Sequence, residues 1–153
     1  REVEQAFKRA KDYLLAWRDN PACVQINRLL LSNASAAVKE RALALKGFLR
    51  PPNFATFADP YTYREVAGQP RLYDGCHVSW RGKVANLVLG DSSAAFDLLV
   101  GYESERQLEG TVPVVLEFAA DLQDGIGLEV LGRVVADGSV LRLVGVSLHR
   151  LVP

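Results

Sequence analysis

Apolar residues recur at three- and four-residue steps along the first third of the chain, and at every second residue along its last half. Val3, Phe7, Ala10, Leu14 and Trp17 fall on one helical face, opposite Lys8, Arg9, Lys11 and Asp12. This predicts a helix over 3–17. Asp19-Asn20-Pro21 reads as its stop, because Pro cannot continue a helix and restricts the residue before it. A second short helix over 22–31 carries Val24, Ile26, Leu29 and Leu30. Ser35 is placed as the N-cap of a third, over 36–49, with Val38, Ala42, Leu45 and Leu49 on one face. Gly47 weakens its last turn. Connections of a few residues force adjacent helices to pack antiparallel.

From Tyr73 onward the period becomes two. Val78, Trp80, Val84 and Val88 alternate with His77, Ser79, Arg81 and Lys83 in a long first strand over 76–89. Gly82 marks a bend in it. Gly90-Asp91-Ser92-Ser93 is a turn, and further strands are predicted over 94–102, 111–118, 128–136 and 139–151. Pro113 assigns the first half of the third strand to an edge. Asp137-Gly138 is a hairpin signal between the last two. Phe96 and Phe118 share the inward parity of Trp80. Between helices and strands lies a connection, 51–71, with Pro51, Pro52, Pro60 and Pro70 and the rings of Phe54, Phe57, Tyr61 and Tyr63. A flexible linker would be rich in Gly and Ser, so this one is expected to pack as aromatic glue between the two parts. A short helical turn is expected over 59–66. The organisation is an α+β chain: a helical platform 1–50, a packed connection 51–71 and a barrel 72–153.

Charge and cysteine content narrow the chemistry. The chain carries 18 Lys+Arg against 18 Asp+Glu. The excess is unequal: 11 cations against 7 carboxylates in residues 1–70, and 7 against 11 in residues 71–153. Cys23 and Cys76, one in each part, lack the spacing of a zinc site. They are read as separate small apolar residues, and pairing is open only if both lie near the junction. No apolar run reaches the length that spans a bilayer. The chain opens mid-pattern at REVEQAFKRA without Met, so it is expected to be a piece of something longer.

Two resemblances follow from these residues. The strand phrases VSWRGKV and LEVLGRV, each an apolar alternation broken by Gly, resemble the paired first and fourth strands of the OB-fold, and the latter runs on to the DG hairpin. This implies a five-stranded OB-like antiparallel barrel, a fold that hosts many activities. Tyr13, Ala16 and Pro21 have the spacing that closes a tetratricopeptide repeat, although Pro51 follows 30 residues later instead of 34 and the Trp and Leu-Gly signature is missing from 22–31. Helical repeats joined to such a barrel resemble certain bacterial cell-envelope repeat proteins, which implies the cell envelope or periplasm.

Candidate chemistry is sparse. His77 and His149 have no nucleophile or metal partner at motif spacing. Cys76 and His77, as strand neighbours, point to opposite faces. Glu103, Glu105 and Glu109 around Arg106 read as an exposed charged loop. No glycine-rich phosphate loop is present. The expectation is therefore no catalytic, cofactor or metal residue, and no enzyme. For nucleic acid, a basic groove with outward rings is needed, whereas Trp80, Phe96 and Phe118 point inward and the strand half is acidic, leaving Arg81 and Lys83 as a solvated or ion-paired strand edge. The expected function is a non-catalytic protein–protein interaction module of a larger bacterial protein, with another protein as partner and nucleic acid improbable. The alternative is an OB-type binder of single-stranded nucleic acid or oligosaccharide.

Overall fold

The computed structural model describes residues 1–152. Three antiparallel helices, α1 (Glu2–Leu15), α2 (Asp19–Leu31) and α3 (Ala36–Lys46), come first. They bury Phe7, Ala10, Ile26, Leu29 and Ala42 against one another. Ser35 caps α3 as its position predicts, its hydroxyl accepting from the Val38 amide. A short α4 (Tyr63–Gly68) follows in the connection. It begins later than the Asp59-Pro60 signal suggests, because Thr62 and Glu65 form a reciprocal capping box.

One boundary differs from the sequence pattern in a consequential way. Asp19-Asn20-Pro21 does not end α1 but opens α2. Proline is tolerated there because the amide it lacks has no intrahelical partner in a first turn. The first helix stops at Leu15, and Trp17 turns left-handed with φ 60°. Its ring leaves the stripe formed by Phe7 and Ala10 and stands 73% exposed.

The five strands are β1 (His77–Leu89), β2 (Ala94–Val100), β3 (Gly110–Leu116), β4 (Gly127–Asp137) and β5 (Val140–Arg150). They close in the order β1-β2-β3-β5-β4, with β3 and β5 parallel and every other pair antiparallel. This is the OB-like barrel that the strand phrases imply. Gly82 is the corner residue: it pairs with Val100 of β2 and with Leu128 of β4, and a Cβ there would overlap the Leu99 carbonyl. Pro113 faces the stretch of β3 that β5 leaves unpaired, since their ladder spans only Val114 and Val115. The DG hairpin closes through Gly138 at φ 64°. Val78, Trp80, Val84, Phe96, Leu98, Val114, Leu116, Val130 and Leu143 fill the interior. Phe118, past the end of β3, lies half-buried against it.

Two buried asparagines of α2 join the layers. Asn20 Nδ2 donates to the His77 carbonyl at 2.8 Å and to the Asp59 carbonyl at 3.0 Å, while its Oδ1 accepts from the His77 amide at 2.9 Å. Asn27 Nδ2 donates to the carbonyls of Leu72 and Asp74, and its Oδ1 accepts from Lys46 Nζ. Replacing Asn20 by Ala strands the buried His77 amide and carbonyl. The expected cost is about 3 kcal/mol in urea unfolding, against about 0.5 kcal/mol or less for exposed Asn33→Ala. Equal midpoints for the two variants would show that the asparagine contacts do not hold the layers together.

Candidate nucleic-acid interface

A concavity lies at the seam between helices and barrel. Its volume is about 740 Å³. Trp17, Arg50, Phe57 and Asp59 line its walls, and Asn20, His77, Val146 and Ser147 its base. Local chain geometry explains each wall. The left-handed turn after α1 puts the indole outward. Arg50, between α3 and Pro51-Pro52, reaches back to bond Asp19 and the Leu14 carbonyl, and its guanidinium carbon lies 3.8 Å from the Trp17 ring centre. Asn53 closes the next turn by accepting from the Ala55 and Thr56 amides. Arg18 grips Asp59 through Nε at 3.2 Å and Nη2 at 2.8 Å. Phe54 stands edge-on to His149 with ring centres 6.2 Å apart.

His77 does not sit on an open strand face. It is 7% exposed, since the helices cover the outward side of β1 at its start. Burial, then the nearby Arg133 guanidinium, lower its pKa to about 4, against a smaller opposing pull from Asp19. It is therefore uncharged at neutral pH. Protonation favours the unfolded chain, where the group titrates near 6.5. The stability it confers is complete above about pH 6.5 and falls as the pH drops towards 4. The wild type is expected to lose about 3 kcal/mol more than His77→Phe between pH 7 and pH 4. Parallel urea titrations at the two pH values measure this, and identical losses would disprove it.

The barrel face holds the other residues singled out in the sequence. Ser79 Oγ donates to Glu129 at 2.7 Å, and Arg81 Nε lies 3.7 Å from the same carboxylate. Lys83 pairs with Glu105, and Asn86 donates to Asp97. Trp80 and Phe96 are buried, and Trp80 Nε1 donates to the Tyr61 carbonyl. Tyr61, Tyr63 and Tyr73 pack against the core, as aromatic glue requires, while Phe54 and Phe57 remain at the surface and the groove. Glu105, Arg106 and Glu109 are exposed, whereas Glu103 Oε1 is sealed without a hydrogen-bond partner. His149 is at the surface. Cys23 and Cys76 are both buried, unpaired and in one cluster at the seam. The Cys76 thiol is pushed far up by its hydrogen bond with Cys23 and by burial. Among the described residues no helix is long and apolar enough to cross a membrane.

The family described as the spirochaete C-terminal OB fold matches residues 55–149, more than half of the chain. The chain belongs to that family. Residues 1–46 match a domain of unknown function. No curated protein matches the chain. Among solved structures, this OB-fold chain is similar to a replication protein A heterotrimer bound to ssDNA, at 14% identity and TM-score 0.40, over 52% of this chain and 59% of that one. It is similar to the S. pombe Stn1–Ten1 complex at 14% and 0.38, over 49% and 57%. It is also similar to fission yeast Pot1 with ssDNA at 10% and 0.42, over 78% and 47%. The chain thus spans roughly half the length of these structures, and identities this low speak for the fold alone.

The expectation of a protein partner with nucleic acid improbable is corrected by the placement of charge and rings, because neither the acidic excess nor the inward parity of the strand rings describes the seam groove. The physical fault lay in averaging. Residues 91–124 hold eight carboxylates and one cation, Arg106, and account for more than the whole acidic excess of the strand half. None of those eight lines the seam groove. The parity argument counted rings on strands only, while the exposed indole, Trp17, comes from the helical part. The signal that could have found it is the Asp-Asn-Pro run, which opens a helix as readily as it closes one.

Proposed function

We propose that this OB-fold chain is a non-catalytic binder of single-stranded nucleic acid, with the strand lying in the seam groove. The observation that carries the reading is the exposed Trp17 indole, backed on one face by Arg50 and open on the other. Strand binders without base readout stack bases on rings and cations of this kind. Membership of the OB-fold family supports it, since barrels of this kind hold oligonucleotides. Arg18 and Arg50 each already hold a carboxylate. Binding through this groove therefore rests on stacking more than on neutralised phosphate, and few counterions are released.

Trp80 is buried, so a change in tryptophan emission on adding ligand reports Trp17. Twelve-residue homopolymers of dA, dC, dT and dG are expected to quench that emission. Trp17→Ala is expected to weaken binding about tenfold or more, as loss of one stacked base does. Raising salt from 50 to 200 mM is expected to change affinity by less than a basic groove would show. Quenching by an oligosaccharide and by no oligonucleotide would move the reading to a sugar ligand, and silence with both would end it.

A further inference from the structure

We infer that His77 is the group that discriminates among ligands of this groove, through a hydrogen bond from its imidazole to an uncharged nucleobase edge. The inference rests on the binding reading above and names its specificity determinant. His77 sits on β1 with its side chain on the face opposite Val78, which is in the barrel interior. That side is the seam. Asn20 holds both the amide and the carbonyl of His77, so the backbone that carries the ring is pinned. The residue is more than nine-tenths buried and lines the groove. No hydrogen bond joins its imidazole to another described residue, whereas Asn20 and Asn27 beside it are fully engaged. Its ring nitrogens are not sealed, unlike the Glu103 carboxylate oxygen, so they keep contact with the groove, and a ligand edge that replaces water on them gains a directed hydrogen bond.

The chemistry selects the kind of partner. Arg133 lies opposite His77 in the β1–β4 register and helps to keep the ring neutral. A neutral imidazole offers one donor and one acceptor. A phosphate offers acceptors only and is better served by the guanidinium. A base edge carries donors and acceptors side by side, which the ring can match on one or both nitrogens.

The test uses the whole chain and the four homopolymers, read by anisotropy of a labelled end. The wild type is expected to prefer one base about fivefold or more. His77→Phe, close in shape but without the nitrogens, is expected to flatten that preference while leaving the salt slope unchanged. His77→Gln, which keeps a donor and an acceptor, is expected to retain part of it, and urea midpoints show that each variant is folded. Equal wild-type affinity for all four, a preference that survives in His77→Phe, or an equal loss on all four would each overturn the inference. Failure of the wild type to bind any of the four would instead remove the functional reading, and the inference with it.

Discussion

The side-chain amide of Asn20 is the contact on which the arrangement of this molecule depends. It presents a donor and an acceptor to the backbone of His77 much as a neighbouring strand would. Strand β1 begins at this residue, where β4 already covers one side. The start of a barrel strand buried under helices needs every polar group matched. A hydrophobic side chain at position 20 could fill the space but not the bonds. Asn27, one face-repeat further along α2, donates its amide N–H groups to the carbonyls of Leu72 and Asp74 and accepts from Lys46 Nζ. Two amides thus fix the distance and the angle between a helical layer and a barrel, and the groove exists because that separation is fixed.

Around this seam the ionic contacts are local and short-ranged. Arg50 with Asp19, Arg18 with Asp59 and Lys46 with Asp74 all tie helices or connection to a neighbouring segment. They orient the walls, and the arginines bring their planes against Tyr13 and Trp17. Their charges are largely spent on the protein's own carboxylates. That leaves the groove polar and aromatic, with neither strong sign, while the acidic loops of residues 91–124 belong to other parts of the surface. A ligand that enters must therefore be recognised by its flat faces and its edges.

The elements themselves were legible in the chain. Alternation in VSWRGKV and LEVLGRV, the lone Gly82 and the Asp-Gly turn are local properties that hold in any context where one face is buried. Together they specify a curled five-stranded sheet, and the inward parity of Trp80 and Phe96 followed directly. The helices were legible for the same reason, with Ser35 as the clearest boundary. The boundary whose misreading mattered most, at Asp19-Asn20-Pro21, failed because proline is compatible with a helix start as well as with an end. That single ambiguity hid Trp17, since the same residue scored as the last member of an apolar stripe.

What no local pattern carries is which surfaces meet. Asn20 and His77 are 57 residues apart, and nothing in either neighbourhood announces that one will bond the other. The burial of His77, its lowered pKa and the concavity beside it are all consequences of that long-range contact. Net charge by half-chain was readable, but its distribution over the surface was not, because the folding of loops decides which carboxylates share a side with the groove. The amino-acid sequence by itself determined the helices, the strands and their inward faces, through periodicities of a few residues. Only the tertiary structure decided the seam, because a site made of four distant segments is defined by their packing and by no one of them alone.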